Sequence, residues 1–124
     1  MTKERVRFYL KNYPLLKAAK NADRDGVVIE RYRSSIKVYF DDETNQMLEI
    51  VEDFMKSETN GIVMNVFENN YIKQKSDVSS SMRVPASVSS FYRIKSDVVD
   101  KCYHMAIARG LVSYEEILRE KINR

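Results

Sequence analysis

The sequence predicts a mainly all-α fold, a small helical domain, and three observations favour it. Hydrophobic residues make up 44% of the 124 residues, which is enough for one modest core. Three glycines and two prolines are too few for the many turns of a β-sandwich or barrel. Over most of the chain, apolar residues recur at the three- and four-residue spacing of a helix face. We expect an N-terminal region, 1–60, and a C-terminal region, 61–124, in one compact unit.

The first forty residues contain one clear helix and one ambiguous stretch. A helix is expected over Lys3–Asn12, and Pro14 either kinks it or opens a second helix. Residues 27–40 are β-prone at both ends, with Ser34 and Ser35 as a turn between them. An amphipathic helix is the alternative, and we favour a short β-hairpin or an irregular segment.

Residues 41–71 predict two further helices. Asp41 or Asp42 is placed to cap a helix over Glu43–Lys56, and the next runs from Ile62 to Tyr71. We expect the apolar face of the first of these to pack inside the same chain, with a homodimer as the alternative. That face consists of Met47, Ile50, Val51 and Phe54.

The C-terminal part of the chain predicts three helices. Two are expected over Ser76–Met82 and Ala86–Arg109, and Gly110 is a typical stop after the second. Ser113 and Glu116 have the spacing of a capping box, so a last helix should begin there. That helix is expected to reach Lys121 and to bury Tyr114, Ile117 and Leu118.

Charge is distributed unevenly along the chain. The total is +3, but residues 1–40 carry a net charge of +6, residues 41–73 of −6 and residues 74–124 of +3. Such asymmetry is typical of a protein that contacts a polyanion with part of its surface. Ordinary solvated helix faces produce the same pattern, so charge alone does not choose between the two.

The helices on either side of residues 83–85 have the pattern of a helix-turn-helix. Arg83, Val84 and Pro85 form the turn, with Val84 as the apolar plug and Pro85 just before or at the start of the second helix. Val78 and Met82 share one face of the first helix. The second helix is expected to bury a stripe that is apolar except for one lysine: Val88, Phe91, Lys95, Val98, Cys102 and Met105.

This arrangement predicts binding to double-stranded DNA. The start of the second helix in such a motif reaches base edges in the major groove. The base-reading candidates there are Ser87, Ser89, Ser90 and Arg93. Phosphate contacts position a protein on the duplex, and the flanking candidates for them are Lys73, Lys75, Arg83 and Lys95.

Three runs in this region also carry a family resemblance. They are the aromatic-ended helix Ile62–Ile72, the turn Met82-Arg83-Val84 and the recognition helix Ser87–Lys95. Over Asn60–Arg109 the chain resembles the C-terminal half of the ArpU-like and RinA-like phage transcriptional regulators, whose helix-turn-helix is similar to region 4 of sigma factors. It departs from that pattern where Ser79 replaces an alanine, Arg83 a glycine and Pro85 a common serine.

The resemblance implies a function in transcription. Regulators of this kind activate late phage operons for packaging and lysis, which implies RNA polymerase as a partner and the bacterial host cytoplasm as the location. A small terminase-like DNA-packaging subunit is the alternative, and a helical interaction protein that binds no DNA is another.

Acidic residues on the helix Glu43–Lys56 are candidates for a partner surface. Glu49, Glu52 and Asp53 cluster on one face, where they would repel a phosphate backbone. We therefore expect this face to lie away from DNA and to be available to a basic protein partner, such as the polymerase that the resemblance implies.

The remaining motifs favour a protein without catalysis, metal or cofactor. His104 has no partners at metal-ligand spacing, and Cys102 falls on the apolar stripe, where it is expected to be a core thiol. No apolar run approaches the ~20 residues of a membrane span. The charged start and the single cysteine are typical of a protein in the cytoplasm.

Overall fold

The computed structural model describes residues 1–122, with side chains through residue 119, and within them the fold is mainly helical. One two-stranded hairpin and one π-helical turn, Glu68–Ile72, interrupt the α-helices. The mainly helical expectation and the hairpin within 27–40 are therefore confirmed. The elements are α1 (Lys3–Asn21), β1 (Gly26–Arg31), β2 (Ser34–Tyr39), α2 (Asp42–Ser57), α3 (Gly61–Phe67), α4 (Asp77–Met82), α5 (Val88–Ala108) and α6 (Tyr114–Ile122).

Helix α1 is continuous through Pro14, so the expectation that this proline opens a second helix is wrong. Leu10, Tyr13 and Leu16 are all buried on one face that runs past the proline. A proline inside a helix removes one backbone donor. Burial of these side chains on both sides of it stabilises the helix enough to offset that loss.

The main core lies where α1 packs against α2 and α5. The apolar face of α2 is inside the same chain, as expected, with no residue of it more than 1% exposed: Met47, Ile50, Val51 and Phe54. Asp41 caps this helix by accepting the Thr44 N–H at 2.8 Å. The core includes side chains from both the 1–60 and the 61–122 stretches.

The hairpin turns at Tyr32 and Arg33, not at the serine pair. Arg31 pairs with Ser34 across the two strands, so Ser34 and Ser35 belong to β2. Arg33 has φ 64° and Tyr32 does not have a positive φ, so the single left-handed residue of the turn is its second central position. The expected Ser34–Ser35 turn is therefore wrong.

The end of α5 and the start of α6 follow their local sequence signals. Gly110 has φ 75°, and the Leu111 N–H bonds the Ala106 carbonyl at 3.0 Å, which together close α5. Ser113 and Glu116 cap each other's backbone N–H groups at 3.2 Å. The expected burial on α6 is wrong for two residues, because Ile117 alone of its three predicted contacts packs against the core, while Tyr114 and Leu118 are exposed.

Gly26→Ala should destabilise the hairpin. A Cβ at position 26 would lie 2.6 Å from the Val38 carbonyl oxygen across the strand pair, and backbone must shift to admit it. We expect a loss of about 1–3 kcal/mol in the free energy of unfolding, measured by urea denaturation. Gly61→Ala is the matched control, because its Cβ would meet nothing within 4 Å at the first residue of α3. Equal stability of the two variants would contradict the strand pairing.

Candidate nucleic-acid interface

Helix α4 is held in place by a polar network around Asp77. One carboxylate oxygen, Oδ1, accepts from Lys95 Nζ at 2.8 Å and from Asn70 Nδ2 at 2.9 Å. Asn70 also donates to the Lys75 carbonyl at 3.2 Å, and the Ser80 hydroxyl donates to the same carbonyl at 3.4 Å. The network therefore joins α4 to the π-helical turn on one side and to α5 on the other.

The network turns the polar side of α4 inward, which the sequence analysis did not predict. Ser80 is fully buried, whereas Val78 is 69% exposed and Met82 is 81% exposed. Val78 and Met82 share one face of α4, as their spacing predicts, and this face is the solvent-exposed one. The reason is that Asn70 and the Lys75 carbonyl lie beneath α4 and provide partners for a hydroxyl.

The turn between α4 and α5 carries the expected apolar plug. Val84 is buried in a small cluster with Val66 of α3 and with Phe91 and Ile94 of α5. Arg83 stands where the resembled regulators have glycine, and its φ of −97° is not a left-handed conformation. The helix pair and its plug are thus present, while its action as a DNA-binding helix-turn-helix stays a prediction.

The buried stripe of α5 begins later than predicted. Phe91, Val98 and Cys102 are fully buried, as expected, but Val88 is 62% exposed. The prediction for Val88 is wrong because it is the first residue of the helix and lies beyond the edge of the small cluster. Burial raises the pKa of the Cys102 thiol to about 12, so this core thiol stays protonated at neutral pH.

The four base-reading candidates lie together at the start of α5 and differ in availability. Ser87 is the N-cap: its hydroxyl accepts the Ser90 N–H at 3.2 Å and donates to the Ser90 hydroxyl at 2.9 Å. Ser89 and Arg93 are exposed. Arg93 has no ion-pair or hydrogen-bond partner for its side chain among residues 1–119. Arg93 and Ser89 are therefore the side chains most available to a ligand.

Three of the four phosphate candidates share one surface, and the fourth is paired. Lys95 is half-buried, and Asp77 already compensates its charge. Lys75 Nζ donates to Asn69 Oδ1 at 3.0 Å. Burial lowers the pKa of Lys75, and the positive charges of Arg83 and Lys73 lower it further. The effect of Lys73 and Arg83 on Lys75 indicates that the three cations are near neighbours.

The acidic candidates are engaged in ion pairs within the chain. Arg109 donates to Glu49 at 2.7 Å and to Asp53 at 2.9 Å, which ties the end of α5 to α2. Lys17 of α1 pairs with Glu52 at 2.5 Å. These contacts reduce the local charge of the three carboxylates from −3 to −1. A partner would meet a surface that is far less acidic than the sequence indicates.

In the part of the chain that the structure describes, no three histidine, cysteine, aspartate or glutamate side chains converge as a metal site requires, and no helix is long and apolar enough to cross a membrane. His104 is exposed, with Nδ1 at 2.7 Å from the Asp100 carbonyl oxygen. The exposed cations and hydroxyl groups around α4 and the start of α5 can bind anions by charge and hydrogen bonding.

Comparisons of the chain with protein-family models, with curated proteins and with solved structures find no match.

The Asp77–Lys95 pair should contribute a measurable coupling energy. In a double-mutant cycle with Asp77→Asn and Lys95→Gln, we expect about 0.5–1 kcal/mol, since both groups are partly exposed. The bond from Lys95 lowers the pKa of Asp77 below its unfolded value. The coupling should therefore be fully present above the unfolded pKa, near 3.9, and be lost as pH falls through the lower folded pKa. Denaturation at pH 7 and pH 2.5 measures it, and a pH-independent coupling would contradict the pairing.

Proposed function

We propose that this protein binds double-stranded DNA with the start of α5 and the loop before α4, as a sequence-specific transcriptional regulator. The observation that carries the proposal is a group of cations at this site that no carboxylate neutralises. Several lysines and arginines elsewhere are in ion pairs, among them Lys3, Arg5, Lys17, Lys101 and Arg109. In contrast, Lys73, Arg83 and Arg93 have no carboxylate partner among residues 1–119.

Uncompensated cations on one surface are what a phosphate backbone requires. Each lysine or arginine that contacts a phosphate releases counterions, and this supplies most of non-specific affinity. A cation held by an internal carboxylate contributes less. Lys73, Lys75 and Arg83 flank the protruding start of α5, so they would position that helix on the duplex.

The start of α5 has side chains that suit base reading. The planar guanidinium of Arg93 can bond guanine O6 and N7 together. Ser89 is small and can bond a base or a phosphate, and the exposed methyl groups of Val88 can contact the methyl group of thymine. Activation of late phage genes through RNA polymerase is the regulatory form that the resemblance supports.

A small terminase-like DNA-packaging subunit is a second candidate, and the outer face of α4 favours it. Val78 and Met82 are both largely exposed there, and exposed apolar side chains mark protein interfaces when they are contiguous. Light scattering separates the two candidates. A monomer or dimer supports the regulator, and a ring of eight or more copies supports the packaging subunit.

Binding to duplex DNA should weaken steeply with salt and depend on Lys73 and Arg83. In a fluorescence-anisotropy salt series, Lys73→Gln/Arg83→Gln should reduce the magnitude of the log–log slope by about 2, since each phosphate contact contributes about 0.9. The matched control is Lys20→Gln/Lys56→Gln, which removes the same charge from α1 and α2 without breaking an ion pair and should leave the slope unchanged. Absence of duplex binding by the unmodified protein at about 50 mM salt would refute the proposed function.

Arg93 should determine specificity. On a preferred site selected from a random pool, Arg93→Ala should cost about 1–3 kcal/mol of binding free energy. Arg93→Lys keeps the charge but loses the planar fork, so it should retain non-specific binding and lose most of the preference. If both variants bind the preferred site as the parent does, α5 does not present Arg93 to a base.

A further inference from the structure

The β-hairpin presents a second group of uncompensated cations. Arg31, Arg33 and Lys37 are exposed and have no carboxylate partner among residues 1–119. Each lies instead over an aromatic ring: Arg31 over Phe8 at 5.3 Å, Arg33 over Tyr32 at 5.1 Å and Lys37 over Tyr39 at 5.0 Å. A ring face holds a cation in place without neutralising its charge. These three charges are therefore positioned and still available to an anion.

A groove of about 730 Å³ lies between the hairpin and α1 and is lined by side chains of both charges. Its cations are Arg31 and Lys37 on the hairpin side and Arg5, Arg7 and Lys11 on the α1 side, and its carboxylates are Glu4, Asp41 and Glu116. Arg7 is paired with Glu4. The backbone carbonyl of Lys11 accepts Gln74 Nε2 at 3.0 Å, and Gln74 lies between Lys73 and Lys75. The hairpin cations and the loop cations are thus separated by one face of α1.

We infer that the hairpin is a second DNA-contacting element, which binds the phosphate backbone of the same duplex that α5 reads. This inference rests on the proposed function and extends it. Lys11 is exposed, is not in an ion pair among the described side chains, and lies between the two groups of cations. Lys11 thus lines the groove beside Arg31 and Lys37, and it belongs to the part of α1 that contacts Gln74, the residue between Lys73 and Lys75.

The side-chain arrangement favours a duplex backbone over single-stranded bases. Binding of single strands requires aromatic faces on which bases stack. Tyr32 and Tyr39 are exposed, but they lie at opposite ends of the hairpin and each has a cation over one face, so they form no continuous platform for successive bases. Phosphate contacts need charge and reach but no stacking, which these side chains provide.

The test removes two hairpin charges without disturbing the turn. The variant is Arg31→Gln/Arg33→Asn, because asparagine tolerates the positive φ of position 33 and glutamine preserves the length of the side chain at 31. Circular dichroism and thermal melting should match the unmodified protein. Its salt slope on duplex DNA should fall by about 2 in magnitude, with equal loss on preferred and random sequences, because phosphates carry no sequence information. Lys20→Gln/Lys56→Gln again provides the equal-charge control.

The possible outcomes separate this inference from the proposed function. If the unmodified protein binds duplex and the hairpin variant matches the control, the hairpin inference is wrong and the α5 site stands. If the unmodified protein binds no duplex, both are wrong. Vesicles of phosphatidylserine and phosphatidylcholine form a second arm. Hairpin-dependent binding to these vesicles, with duplex binding unaffected by the variant, would assign the cations to an anionic lipid surface and overturn the inference.

Discussion

The carboxylate of Asp77 is the contact on which the candidate interface depends. One oxygen accepts from Lys95 on α5 and from Asn70 in the π-helical turn, so a single group joins three elements. Helix α4 has only six residues, and a helix so short is not stable by itself. Its position is set by these polar contacts and by the Ser80 hydroxyl beneath it, with Val84 packing just beyond its end. This network favours one orientation, because any other would leave the buried Ser80 hydroxyl without the Lys75 carbonyl as a partner.

Ion pairing also explains why the acidic and basic stretches of the sequence do not form separate acidic and basic surfaces. The acidic stretch 41–73 and the basic stretch 1–40 meet in the fold, where Arg5 pairs with Glu43 and Lys17 with Glu52. Arg109 brings a third basic segment onto the same acidic helix. Ion pairing neutralises charges that the sequence analysis had proposed as available to a partner, among them Lys95 and Glu49. Among the described side chains, the cations without a carboxylate partner include one group at the hairpin and one around α4 and α5, and these two groups carry the functional proposals.

Local capping and spacing signals predicted much of the helical framework, whereas contacts between distant residues determined how the side chains of the interface are oriented. Asp41, Gly110 and the Ser113–Glu116 box act within four or five residues of themselves, so their capping roles followed from spacing. The inward face of α4 did not follow from spacing, because Val78 and Met82 have helical spacing whichever face of the helix is buried. Its orientation depends on Asn70, which is seven residues before Asp77 and offered no periodic pattern. The hairpin cations were likewise missed, although Arg31-Tyr32-Arg33 with a two-residue turn was a signal that could have found them.

By itself, the sequence determined the mainly helical fold, the apolar face of α2, the plug at Val84 and the clustering of Ser89 and Arg93 at the start of α5. Periodicity and capping are properties of neighbouring residues, and they hold before any tertiary contact forms. The tertiary structure decided which side of α4 is buried, where the hairpin turns, and which charges are paired. Those outcomes depend on residues that are far apart in the chain, such as Asp77 with Lys95 and Arg109 with Glu49. An ion pair forms only where folding brings both charges within a few ångströms, and no local pattern encodes that distance.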